Sequence, residues 1–177
     1  VLAYLRIIEN INDEESLRRI INFPPRGIGQ TTLDKLVILS NEKNVSVFEA
    51  ISKIDSNKKI FNQRTIQKLE DFKNLILSFK IFSNSNNAYE TTNLVIHKTK
   101  LLDYYRNEGT LESMNRIENI EELLNGVNDF IAQQLEIYQG DNSMSKYLQD
   151  VALYSETDKE IKSEKVSLMS IHMAKGL

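Results

Sequence analysis

Two adjacent prolines followed by two closely spaced glycines constrain this chain more than any other stretch in it. The run reads Asn22-Phe23-Pro24-Pro25-Arg26-Gly27-Ile28-Gly29-Gln30-Thr31-Thr32, and it holds both prolines of the 177 residues and two of the six glycines. Proline lacks an N–H and drives its predecessor out of the α region, so a helix arriving from the N-terminal side must stop near Ile21 or Asn22. Gly27 and Gly29 bracket Ile28, which lets the backbone take positive φ and lets another surface come close. Thr31 or Thr32 is then placed to cap a new helix through Leu33, Leu36, Val37 and Leu39. The expected product is helix, tight glycine hairpin, helix. Amides left open at the hairpin and the helix start form a seat for an anion, a nucleic-acid phosphate above all. The same residues also fit a plain helix stop followed by a capped helix.

On both sides the apolar residues recur at helical steps. Leu2, Leu5, Ile7, Ile8 and Ile11 mark an opening helix. Asn12-Asp13 breaks it and caps the next, whose Leu17, Ile20 and Ile21 face a core while Arg18 and Arg19 form a solvated face. Ser46-Val47-Phe48-Glu49 has the spacing of a capping box before a short helix to about Ser52. Residues 55–59 are polar and read as a loop, and Lys58, Lys59 and Arg64 form a small basic cluster read as surface rather than as DNA contact. From Asn62 to about Phe82, the series Ile66, Leu69, Phe72, Leu75, Ile76, Phe79 predicts one long amphipathic helix.

Beyond the Ser83–Asn87 loop, one helix is expected through Leu94, Val95, Leu101 and Leu102 to Tyr104-Tyr105-Arg106. Its tyrosines are read as half-buried, and His97 as packing or surface. After a turn at Asn107–Thr110, a stripe of Ile117, Ile120, Leu124, Val127, Ile131, Leu135 and Tyr138 runs to a stop at Gly140. Arg116 is expected to pair with an acid on a neighbouring helix. Ser143 or Ser145 caps a final helix buried through Tyr147, Leu148, Val151, Ala152 and Leu153. Residues 155–165 are charged and flexible in composition. Lys165–His172 alternates around β-branched residues and is the one expected strand. The fold class is therefore all-α, with seven or eight helices and one short C-terminal strand.

Composition narrows the chemistry. With no cysteine there is no disulfide, no thiolate nucleophile and no cysteine metal site, and His97 and His172 stand far apart. A net charge of −3 argues against a wholly electrostatic nucleic-acid binder, though not against a local patch. No apolar run reaches the roughly 18 residues of a membrane span, and no signal-peptide pattern is present. The chain is expected to be a cytoplasmic piece of a longer protein, since it starts without methionine and stops at Leu177 in the middle of a motif.

Three stretches carry a family resemblance. Pro-Pro-Arg-Gly-Ile-Gly-Gln-Thr-Thr-Leu at 24–33 closely resembles the Pro-x-Arg-Gly-Ile-Gly-x-x-Thr element of superfamily 1 DNA helicases of the UvrD/PcrA/Rep type. Asn-Arg-Ile-Glu-Asn-Ile-Glu-Glu-Leu-Leu at 115–124 is similar to the Arg-x-Glu-Asn-Leu-Glu-Glu-Leu run that opens the longest helix of that family's 2B subdomain. Leu-Met-Ser-Ile-His-Met-Ala-Lys-Gly-Leu at 168–177 resembles helicase motif V in the 2A subdomain, with Ser170 where threonine is usual. The opening Ala-Tyr-Leu-Arg-Ile-Ile and the late Tyr-Leu-Gln-Asp-Val-Ala-Leu-Tyr resemble the 2A-to-2B entry and the last 2B helix.

The resemblance implies a 2A/2B boundary helix at 1–11, a helical 2B subdomain at 12–160 and a 2A segment with a truncated motif V at 165–177. It implies a parent that hydrolyses ATP with Mg2+ to translocate 3'–5' and unwind duplex, with roles in DNA repair. Arg26, Gly27, Ile28, Gly29, Thr31 and Thr32 are the implied duplex contacts, and Ser170, His172 and Lys175 the implied single-strand contacts. The implied partners are DNA, the 1A, 1B and 2A subdomains, and repair proteins. The residues at hand contain no Gly-x-x-x-x-Gly-Lys-[Ser/Thr] phosphate loop, so no cofactor is expected in this piece and catalysis is expected elsewhere. The rival expectations are a freestanding helix-hairpin-helix module and a protein-interaction or autoinhibitory domain.

Overall fold

The computed structural model describes residues 1–54 and 60–160, and nine helices lie among them. They are α1 (Leu2–Glu9), α2 (Glu14–Ile20), α3 (Gln30–Lys43), α4 (Val47–Ser52), α5 (Gln63–Ser83), α6 (Ala88–Thr99), α7 (Leu101–Glu108), α8 (Leu111–Glu136) and α9 (Met144–Glu160). The fold class is thus all-α over the described residues. The expected strand at 165–172, with Ser170, His172 and Lys175, lies outside them, as do Lys58 and Lys59. No helix among the described residues is long and apolar enough to cross a membrane.

The hub of the bundle is α1. Its Tyr4, Leu5, Ile7 and Ile8 are almost wholly buried, and it packs against α2, α5, α6 and α9. A helix apolar on so many sides cannot lie on a surface; it has to be surrounded. α1 is therefore the centre of the packing. Around it, α5 supplies Leu69, Phe72, Ile76 and Phe79, and α6 supplies Ala88, Val95 and Ile96. The short pair α3 and α4 closes one end, with α4 against α5 and α2, while α8 lies along α6 and α7.

Helix starts follow their caps. Asp13 accepts from the Ser16 amide at α2, Asn62 from Thr65 at α5, and Ser143 from the Lys146 amide at α9. Asn87 and Glu90 close a full capping box at α6. Ser46 caps α4, but the box expected there is half made, because Glu49 reaches forward to Lys53 at 2.8 Å instead of back to the serine.

Four boundaries correct the expectations. The helix expected to run to Arg106 breaks at Lys100, which takes the left-handed conformation at φ 58° and turns the chain from α6 into α7. The longest helix starts at Leu111, earlier than the 115–124 run, because Thr110 and Ser113 form a capping box. It ends at Glu136 rather than at Gly140, so Tyr138 leaves the stripe and stands 91% exposed, while Leu135, still in the last turn, is 73% exposed. Finally α9 continues to Glu160, through residues expected to be flexible, and its Ala152 and Leu153 face outward.

Arg18 and Arg19 point to solvent and pair with Glu14 and Glu15 one turn back, as a solvated face should. Tyr105 is buried and Tyr104 half-buried, and both meet Phe23 in an aromatic cluster with centroids 5.2–5.9 Å apart. His97 is exposed.

Candidate nucleic-acid interface

The hairpin between α2 and α3 is built by three side chains that each gather backbone groups. The Asn22 side-chain oxygen accepts from two amides, Arg26 at 2.9 Å and Ile28 at 3.0 Å, which folds residues 22–28 into a closed loop. The Ile28 side chain, 2% exposed, pins the loop into the core. Arg26 does the rest. One guanidinium nitrogen donates to the carbonyls of Ile20, Phe23 and Pro24 at 2.9, 3.0 and 3.2 Å. The other donates to the Tyr4 hydroxyl at 2.6 Å, and that hydroxyl donates to Phe23 O. The guanidinium carbon also lies 5.8 Å from the Tyr4 ring centroid and 5.6 Å from that of Phe72.

This arrangement ties the hairpin to α1 and α5. The partners of Arg26 are carbonyls, a hydroxyl and ring faces rather than carboxylates, so the cation is held by dipoles. A hydrogen bond to a charged group contributes about 1.5–3 kcal/mol. Burial raises the Tyr4 hydroxyl above its ordinary pKa, while the Arg26 charge and hydrogen bond pull it the other way.

Only one of the two glycines uses its conformational freedom. Gly27 sits at φ +70°, where a side chain is strained. Its carbonyl accepts from Lys68 Nζ of α5 at 3.1 Å, and a Cβ added at Gly27 would meet that same nitrogen at 2.3 Å. Gly29 sits at φ −80° with open space where a Cβ would stand. It is the N-cap of α3 and offers no side-chain acceptor. That corrects the expected cap: Thr31 and Thr32 lie inside the first turn, and the helix starts at Gln30. The Thr32 and Leu33 amides reach back to Gly29 O, whereas the first amides of a helix have no carbonyl behind them within the helix.

The site residues expected from the sequence therefore divide. Gly27, Gly29 and Thr31 lie exposed on the outer side of the hairpin and Thr32 is half-buried beside them. The Ile28 amide is taken by Asn22, and the Arg26 guanidinium is turned inward onto its own loop. Lys68 was not singled out by the sequence, and no local signal brings it there, since the residue it touches lies 41 positions away.

Among the described residues no group of three or more His, Asp or Glu side chains is placed to hold a metal. A cleft of about 610 Å3 opens between α1, α2 and α8. Its two cations, Arg19 and Arg116, are paired with Glu15 and Glu112 on their own helices. Arg116 thus finds its acid one turn back rather than on a neighbouring helix, and also lies 5.6 Å from the Tyr105 ring centroid.

An all-helical module carrying a glycine hairpin, with a glycine-capped helix behind it, is the class of protein that fold and site define. Over residues 1–177 the chain matches the family described as the UvrD-like helicase C-terminal domain, and it belongs to that family. It is 34% identical over 181 residues to the ATP-dependent DNA helicase PcrA of Staphylococcus epidermidis and 33% identical over 178 residues to that of Staphylococcus aureus. Each match covers 100% of this chain and 24% of the relative, so the chain spans about a quarter of the relatives' length.

Proposed function

We propose that this chain is the accessory 2B subdomain of an ATP-dependent DNA helicase, and that its hairpin contacts the phosphate backbone of duplex DNA. One observation carries the reading. The exposed face around Gly27, Gly29, Thr31 and Thr32 leads into a helix whose N-cap supplies no acceptor of its own, which leaves the positive end of α3 open to an anion. Glycine is itself a competent N-cap, but unlike Ser, Thr, Asp or Asn it sets no side-chain oxygen over the first amides of the helix.

The parent would hydrolyse ATP with Mg2+, translocate 3'–5' and unwind duplex. Its 1A, 1B and 2A subdomains would supply the motor, and repair proteins would be its partners in the cytoplasm. Packing of α1 against α9 supports an inserted subdomain that leaves and re-enters its host at one place. Ser170, His172 and Lys175 would serve the single strand from the motif V segment. Backbone contacts of this kind make duplex binding weak, indifferent to base sequence and shallow in salt dependence.

Gly29→Asp tests the hairpin with two readouts of opposite sign. The backbone at Gly29 accepts a side chain, and aspartate is a strong N-cap, so thermal stability rises by about 0.5–1 kcal/mol. The same carboxylate occupies the anion seat, so duplex affinity at low salt falls several-fold. Greater stability with unchanged duplex binding would reduce the hairpin to a helix stop.

A second reading is favoured by α8. Its Glu112, Glu118, Glu121, Glu122, Asp129 and Glu136 are all exposed, and Leu135, Ile137 and Tyr138 stand bare at its C-terminal end. A face of this kind repels DNA and suits a basic, partly apolar protein surface. Under that reading the domain docks a partner or restrains the motor, and binding would follow Tyr138→Ser rather than Gly29→Asp.

A further inference from the structure

Arg26 is the obvious cation of the hairpin, and the structure spends it elsewhere. Its guanidinium faces Ile20 O, Phe23 O, Pro24 O and the Tyr4 hydroxyl, and lies over the Tyr4 and Phe72 rings. To reach a phosphate outside, it would have to abandon all of them together. Those acceptors would then be left without their donor in a part-buried place, and the carbonyls that shape the loop would no longer be gathered. Lysine is a poor replacement. An ammonium is a compact point charge, whereas this site presents four acceptors to two nitrogens of one fork and two aromatic ring centroids 5.8 and 5.6 Å from its carbon.

A different cation is in position. Lys68 projects from α5 to the outer side of the loop and donates to Gly27 O at 3.1 Å. An ammonium has three donors, so this bond leaves two for a phosphate oxygen. The carbonyl holds the side chain over the positive-φ glycine, where a Cβ would collide with the nitrogen. Glycine at position 27 thus provides both the turn and the room for the lysine.

We propose that Arg26 is a positioning residue that locks the hairpin to α1 and α5, and that Lys68 is the side chain that meets the duplex phosphate. The Lys68 half rests on the duplex-binding reading above; the Arg26 half does not. The two residues have different signatures. A cation that neutralises a phosphate contributes about one unit to the slope of log affinity against log salt. A positioning residue changes affinity and leaves that slope alone. A lock also controls the opening of the loop it holds, which is read without any DNA.

The test uses the 177-residue chain and a mixed-sequence duplex at several salt concentrations, together with amide hydrogen exchange at Arg26 and Ile28 in the absence of DNA. Lys68→Gln is expected to lower the salt slope by about one unit and to leave hairpin exchange unchanged. Arg26→Gln and Arg26→Lys are expected to behave alike, speeding exchange at both amides at least tenfold and weakening duplex binding at an unchanged slope. Tyr4→Phe removes one acceptor of the guanidinium together with the hydroxyl's own bond to Phe23 O, and leaves every residue of the loop in place; a smaller acceleration in the same amides is expected, and it decides the matter should the arginine variants not fold. Rescue of binding by Arg26→Lys, or a slope that falls with Arg26→Gln, overturns the Arg26 half. An unchanged slope in Lys68→Gln overturns the Lys68 half. Should Gly29→Asp and Lys68→Gln both leave duplex binding intact, the duplex-binding reading fails with it, and the exchange rates still decide the role of Arg26.

Discussion

Thr91 lies on α6 with no exposed surface, and its hydroxyl is the one buried side-chain polar atom among the described residues without a hydrogen-bond partner. A threonine in a helix usually returns its hydroxyl to the carbonyl four residues back, and the adjacent Thr92 does so to Ala88 at 2.7 Å. Burying a hydroxyl without a partner costs about 1–3 kcal/mol. Valine has nearly the same shape and nothing to satisfy, so Thr91→Val is expected to stabilise the chain by about 1 kcal/mol. Thermal unfolding would show a midpoint some 2–4 °C higher in a chain of this size. A lower midpoint would mean that the hydroxyl has a partner after all. At this same scale Arg26 shows what a linear reading misses. An arginine beside a glycine turn looks like a surface cation, because the acceptors that claim it come together only when α1, α2 and the loop meet. Gly29 shows the converse: the spacing placed it correctly, but it serves as a cap rather than as a positive-φ turn.

Among the elements, α2 is held at its start by Asp13, whose carboxylate accepts from both the hydroxyl and the amide of Ser16. Those bonds favour the ionised form and hold its pKa below the ordinary value of 3.8. Asp141 is lowered by the backbone and side chain of Ser143 in the same way, just before α9. A carboxylate with a lowered folded-state pKa contributes its full stability above the unfolded value and loses it as pH falls through the folded one. We therefore expect the unfolding midpoint to drop below about pH 4, and to drop less in Asp13→Asn, which keeps the cap and removes the titration. Superimposable acid limbs for the two proteins would rule this cap out as a source. Most helices were legible because apolar steps and cap residues agree, as at Asp13 and Ser143. The break at Lys100 was not, since a lysine carries no turn signature and its left-handed φ is imposed by the packing of α6 and α7 beside it. The premature end of α8 escaped for a related reason. Leu135 keeps the helical step, yet among the described residues no other element covers it.

Taken whole, the chain is a bundle with a hairpin at its edge and no phosphate loop in its sequence. We expect no ATP binding by titration calorimetry and no magnesium-dependent phosphate release by the purified chain, with or without DNA; turnover that survives rigorous purification would place an active site here. The hub position of α1 has a further consequence, which concerns synthesis rather than the finished fold. α1 is buried by α5, by α6 and by α9, which does not begin until Met144. A ribosome adding about 5–20 residues per second needs on the order of ten seconds or more to deliver α9. Through that interval Leu5, Ile7 and Ile8 have no complete shelter, and the nascent chain presents them to whatever is nearby. Packing around α1 is thus completed only once α9 has emerged, and a helper that covers apolar nascent helices suits this architecture.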